Sequence, residues 1–183
     1  MSGAGPPRAG LPSAGRAGPA EPAGAELAAR IVGLLTQRQQ TVAVAESLTG
    51  GLLGAAMTAV PGASVVFRGG VIAYATELKE ELLGVPGPLL AAEGAVSAQV
   101  AAAMAAGVRD RLSASYGVAL TGVAGPDPQD GKAPGTVFVA VAGPGDGQVR
   151  ELDLDGDRQA IRVAAVEAAV EVLRVVLDGS PRA

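Results

Sequence analysis

The chain has 183 residues, 49% of them hydrophobic, with a formal net charge of −4, a length that suits one domain with a real core. It contains neither His nor Cys, which excludes a Ser-His-Asp triad, imidazole or thiolate metal sites, and disulfides. It has no basic stripe, and Phe67, Tyr74, Tyr116 and Phe138 are its complete set of aromatics, so neither backbone attraction nor base stacking points to a nucleic-acid binder.

Residues 1–21 are mostly Gly, Pro and Ala with scattered Arg and are expected to form a disordered tail. They lack the apolar segment of a signal peptide, and the expected location is the cytoplasm. A single domain is expected over 22–180. It opens with an amphipathic helix over 22–39, carried by Leu27, Ile31, Leu34 and Leu35. The β-branched run 41–45 (TVAVA) reads as a buried strand, and 51–60 as a helix ended by Pro61-Gly62. Ser47 to Phe67 carries no charge, but four glycines and Pro61 make it a poor membrane span.

Residues 70–75 (GVIAYA) read as a second strand and 77–83 as a short helix. Pro86 and Pro88 break 84–94 into a loop or a short helical piece. Ser97 caps a helix that runs to about 112. Residues 116–120 form a third strand that delivers a Gly/Pro-rich loop over 121–134. Two further strands, 135–142 and 148–154, flank a Gly-rich turn and form an antiparallel hairpin. The last helix spans 157–177. Crossover and hairpin connections together predict an α/β fold, a three-layer α/β/α domain with a mixed sheet.

Four segments could carry chemistry. In TVAVAESLTGG (41–51) a strand ends at Glu46-Ser47, and Thr49-Gly50-Gly51 opens a helix. Backbone N–H groups at such a junction favour anions and can serve as an oxyanion hole; an ordinary helix cap fits the same spacing. In GGVIAYATELK (69–79) the interest is Lys79, because Lys79 and Lys132 are the only lysines against 12 arginines. With His and Cys absent, the available bases for a serine nucleophile are Lys, Tyr, Asp and Glu. A desolvated Lys can accept a proton where Arg cannot, although Lys79 also fits a solvated helix position beside Glu77, Glu80 and Glu81. The segment 119–137 resembles a phosphate-cradling loop but is not a Walker A, since Ala133 follows Gly131-Lys132; a long surface loop is the other reading. In 152–162, Asp153, Asp155 and Asp157 do not meet calcium-loop spacing. Arg158 and Arg162 share a helix face, able to meet a phosphate or solvent.

Read together and in order, AESLTGG (45–51), TAVPGAS (58–64), GGVIAYATELK (69–79), GAVS (94–97), TGVAGPD (121–127), GTV (135–137) and GDRQAIR (156–162) resemble the CinA C-terminal family over about residues 25–178. Its stand-alone members are nicotinamide-mononucleotide deamidases. The resemblance implies hydrolysis of nicotinamide mononucleotide to nicotinate mononucleotide and ammonia, with a pyridine nucleotide as the partner molecule and neither cofactor nor metal. It implies Ser47 as nucleophile, Lys79 as its base and Tyr74 in the same catalytic site. Substrate contacts are expected from Glu46, Thr49, Gly50, Gly51, Thr121, Gly122, Arg158 and Arg162. Leu48 stands where relatives often have Cys, Thr76 replaces a common Asn, and PQDGKAP after Asp127 departs from the usual Gly-rich loop. No membrane or nucleic-acid partner is expected, and the expected assembly is a homo-oligomer, a dimer. A non-catalytic pyridine-nucleotide-binding or regulatory domain fits the same loops without needing Ser47 or Lys79.

Overall fold

A computed structural model describes residues 24–145 and 147–179; the tail expected over 1–21 lies outside the described residues. In chain order the elements are α1 (Ala25–Gln37), β1 (Val42–Glu46), α2 (Leu52–Thr58), a 3-10 turn at Ala63–Val65, β2 (Phe67–Ile72), α3 (Thr76–Leu83), α4 (Gly87–Glu93), α5 (Ala98–Arg111), β3 (Tyr116–Gly122), β4 (Thr136–Ala142), β5 (Gln148–Asp153) and α6 (Arg158–Gly179).

The central strands alternate large and small residues, which fixes the layers. Val42, Val44, Val118, Leu120, Val137, Val139 and Val141 join one core cluster with residues of α1, α2 and α6. Ala43, Ala45, Ala119 and Ala140 join a second with residues of α5. Small side chains on that second face let α5 approach closely: a Cβ on Gly117 would sit 2.0 Å from the Ala105 carbonyl. Helices therefore cover both faces of one sheet, the expected three-layer α/β/α arrangement. Two of the four aromatics are buried in these layers, Phe138 on the Ala-faced side and Tyr116 on the other.

Strand order is β2-β1-β3-β4-β5. β1 pairs in parallel with β2 and β3, while β3-β4 and β4-β5 are antiparallel, so the sheet is mixed. The connection leaving β1 runs to α2 on one face, and that leaving β2 runs to α3 and α5 on the other. Between diverging connections a crevice opens at the carboxyl ends of the strands, where open α/β sheets bind ligands.

Two boundaries move. The second strand was expected at 70–75 but occupies Phe67–Ile72, because its register follows β1 from Val42↔Phe67 to Glu46↔Ile72. Pairing stops where β1 stops, and Tyr74 lies beyond the strand rather than at its end. β3 runs two residues past the expected 120, held by Thr121↔Phe138 and Gly122↔Val137 across to β4. Residues 84–94 resolve into α4, with Pro88 tolerated in its first turn. Ser97 caps α5 as expected, accepting the Val100 N–H. The uncharged run from Ser47 to Phe67 is divided among α2, the 3-10 turn and the start of β2; among the described residues no helix is long and apolar enough to cross a membrane.

Candidate active site

β1 ends at Glu46, and the Ser47 N–H donates to the Leu120 carbonyl of β3 (3.2 Å), which anchors Ser47 at the strand tips. The chain then turns through Gly50 and Gly51 into α2. Gly51 has φ 101°, a conformation that side-chain-bearing residues rarely adopt. The turn is braced from below by Glu46, which is 1% exposed. Its Oε2 accepts the N–H groups of Gly51 (2.9 Å) and Leu53 (3.1 Å), and its Oε1 accepts that of Gly54 (2.7 Å). These are the N–H groups a helix start leaves without intrahelical partners, and a carboxylate there also favours the helix dipole.

Lys79 lies in the second turn of α3 and is 1% exposed. Its Nζ donates to Ser47 Oγ (3.2 Å) and to the Ala73 carbonyl (2.9 Å). Burial pushes its pKa below the ordinary lysine value, and the carboxylates of Asp130 and Glu77 partly oppose that effect. A serine hydroxyl and a desolvated amine thus meet in hydrogen-bond contact across 32 residues of sequence, the geometry a nucleophile and its base require.

Ser47 forms part of an open cleft of about 410 Å³, lined also by Leu48, Tyr74, Gly122, Val123, Ala124, Gly125, Asp127, Gln129 and Arg158. Tyr74 is 58% exposed at its edge, and its hydroxyl accepts from Arg158 Nη2 (2.8 Å) while Nη1 donates to the Gly125 carbonyl (2.7 Å). The Leu48 side chain is packed in the core, so what Leu48 presents to the cleft is main chain. Among the described residues no acceptor takes the N–H of Leu48 or of Thr49, which leaves two donors beside Ser47.

The remaining expected site residues serve the frame of the site. The Gly51 N–H is taken by Glu46 and the Gly50 N–H by the Ser47 carbonyl (3.1 Å), so the oxyanion donors expected from Gly50 and Gly51 are already paired. Thr49 is fully buried, and its carbonyl accepts from Arg162 Nη2 (2.9 Å). Arg162 also donates through Nε to the Leu48 carbonyl (3.0 Å) and through Nη1 to Gln159 (3.0 Å). Because C=O and N–H point oppositely in a trans peptide, drawing the Leu48 carbonyl toward α6 turns the Thr49 N–H the other way. Thr121 is buried, with its hydroxyl donating to the Ala95 carbonyl (2.6 Å). The side chains of Glu46, Thr49, Thr121 and Arg162 therefore do not line the cleft, whereas Gly122 and Arg158 do.

Sequence reasoning passed over Gln129 and named Asp127 only as part of a motif, yet both line the cleft. The available signal was Asp130-Gly131, a dipeptide typical of two-residue hairpins. Two larger grooves, of about 790 Å³ along Thr58–Phe67 and about 660 Å³ near Leu35–Val66, are lined by no titratable side chain, so size does not select the site. Among the described residues no cluster of three metal-ligating side chains occurs.

A mixed α/β sheet with a buried Ser–Lys contact at its strand tips defines the class of this domain. The family model of the CinA C-terminal domain matches residues 24–177, and the chain belongs to that family. It is similar to a CinA-like protein of Frankia casuarinae, 57% identical over 82% of this chain and 35% of the relative. It is also similar to a putative competence-damage inducible protein of Desulforamulus reducens, 47% identical over 82% of this chain and 37% of that protein. The chain thus spans about a third of the length of these curated relatives. Among solved structures, the competence/damage inducible protein CihA of Agrobacterium tumefaciens superposes with TM-score 0.80 at 38% identity, over 84% of this chain and 94% of that one. A CinA superfamily protein of Klebsiella pneumoniae superposes with TM-score 0.82 at 31% identity, over 85% and 98%.

Proposed function

We propose that the domain is an amidohydrolase converting nicotinamide mononucleotide and water to nicotinate mononucleotide and ammonia. The observation that carries this reading is the contact between buried Lys79 Nζ and Ser47 Oγ at 3.2 Å, opening on a polar cleft in a chain without His or Cys. The substrate class rests on the family resemblance. Neutral Lys79 has two N–H groups and one lone pair: one N–H stays on the Ala73 carbonyl, and the lone pair takes the Ser47 proton. Ser47 Oγ attacks the carboxamide carbon, and the developing oxyanion meets the N–H groups of Leu48 and Thr49. Lys79 then gives its proton to the departing nitrogen, releasing ammonia and leaving an acyl-serine. Water, deprotonated by Lys79, attacks that ester; as its C–O bond breaks, Lys79 returns the proton to Ser47 Oγ and nicotinate mononucleotide leaves. Ammonia release from nicotinamide mononucleotide by the pure protein tests the reading, and binding without turnover would leave the non-catalytic alternative.

Arg158 is the cationic side chain of the cleft and the proposed partner of the substrate phosphate. Arg158→Ala is expected to raise KM about tenfold, the worth of one charge-assisted hydrogen bond, with little change in kcat. The phosphate-free nucleoside should be a correspondingly poor substrate of the wild type, and equal turnover of nucleoside and nucleotide would refute a phosphate site. Activity should also survive chelation, because every proton and electron pair in the scheme is assigned to Ser47, Lys79, water or substrate. Loss with EDTA that added metal restores would count against the Ser–Lys scheme.

A further inference from the structure

The cleft wall formed by Asp127 and Gln129 has its own fastening. Gln129 and Lys132 exchange backbone hydrogen bonds of 3.0 and 2.8 Å. Asp130 and Gly131 between them have φ 51° and 72°, as in a two-residue type I′ hairpin. The tip is tied down: Asp130 Oδ2 accepts the Ala95 N–H (2.8 Å), and the Ala95 carbonyl accepts the Thr121 hydroxyl (2.6 Å). One short segment is thus gripped by the hairpin on one side and by β3 on the other. Gly94 completes the joint, since a Cβ there would stand 2.9 Å from the Asp130 Cβ.

We propose that Asp130 is a positioning residue: its carboxylate pins the hairpin to Ala95, so that the Asp127–Gln129 wall of the cleft is formed before substrate arrives. The inference rests on the reading of the cleft beside Ser47 as the substrate site. A wall already in place spares the substrate the cost of ordering it.

Two variants test the pin. Asp130→Asn keeps an acceptor for the Ala95 N–H and suits a left-handed backbone; Asp130→Ala removes the acceptor. KM on nicotinamide mononucleotide should stay close to the wild-type value in Asp130→Asn and rise about tenfold in Asp130→Ala, equivalent to one charge-assisted hydrogen bond, with kcat little changed. A wild-type KM in Asp130→Ala, or a KM in Asp130→Asn as high as in Asp130→Ala, overturns the pin. If even the wild type releases no ammonia, the calorimetric Kd for the nucleotide takes the place of KM: about tenfold weaker binding by Asp130→Ala then keeps the pin while the amidase reading fails, and equal binding overturns the pin.

Discussion

Ser47→Ala is expected to lower kcat by three orders of magnitude or more, on the order of what loss of a nucleophile costs in enzymes that use one, with substrate still bound. Attack on an amide carbonyl needs an oxygen with alkoxide character, and a serine hydroxyl acquires it only as a base takes its proton. Lys79 is in contact with Ser47 and is shifted toward its neutral form by burial. Lys79→Arg should therefore be nearly as damaging, since a guanidinium keeps the charge and cannot accept the proton. Lys79→Met tests the same loss without adding bulk or charge to a closed site. The double variant of Ser47 and Lys79 should be scarcely worse than either single, because residues acting as one unit are strongly non-additive. In the wild type, activity should rise with pH as Lys79 passes from ammonium to amine, with a midpoint below the ordinary lysine value. Single-turnover ammonia release measures all of these. Near-normal kcat in Lys79→Arg would reduce Lys79 to an electrostatic or structural residue. Activity in Ser47→Ala would move the attack to a water molecule.

Glu46→Ala should cost about 3–5 kcal/mol of stability, the usual penalty for stripping a charged partner from a buried network. Three backbone N–H groups at the start of α2 lose their acceptor together, and water has no ready access to a position 1% exposed. In a domain of this size each kcal/mol is worth roughly 2–4 °C, so the melting temperature should fall by about 10 °C. Glu46→Gln should lose less, since its carbonyl oxygen still accepts while its NH2 faces donors. Because α2 begins a few residues after Ser47, both variants should also lower kcat, in proportion to their loss of stability. Denaturant unfolding beside steady-state kinetics separates the cases. A Glu46→Ala protein as stable as wild type but inactive would return Glu46 to direct contact with substrate.

Much of the fold was legible because the relevant information is local. The apolar runs of β1, β3 and β4, the Ser97 cap and the Gly-rich turn before β5 each depend on a few neighbouring residues, and each appears within two residues of its expected place. The frame of β2 was not legible. The expected strand began at Gly70, with Gly69 ahead of it, yet both lie in the middle of β2, and a Cβ on Gly70 would meet Val44 Cγ2 at 2.7 Å. The missing side chain is explained by the neighbouring strand, which no window around residue 70 contains.

The candidate site divides the same way. Composition alone narrowed the bases for a serine nucleophile to Lys, Tyr, Asp and Glu, since His and Cys are absent, and the rarity of lysine drew attention to Lys79. Sequence also placed Ser47 at a strand-to-helix junction, because that junction is encoded by contiguous residues. Only the tertiary structure decided which polar neighbours face the cleft. Glu46, Thr121 and Arg162 sit in the same motifs as the residues that line it, but their side chains bond to backbone in other elements, and the Thr49 hydroxyl is buried without a partner; the direction of a side chain depends on strand pairing and helix packing. Asp130 is the converse case: its hold on the Ala95 N–H appears only when the fold brings Ala95 to it from 35 residues away.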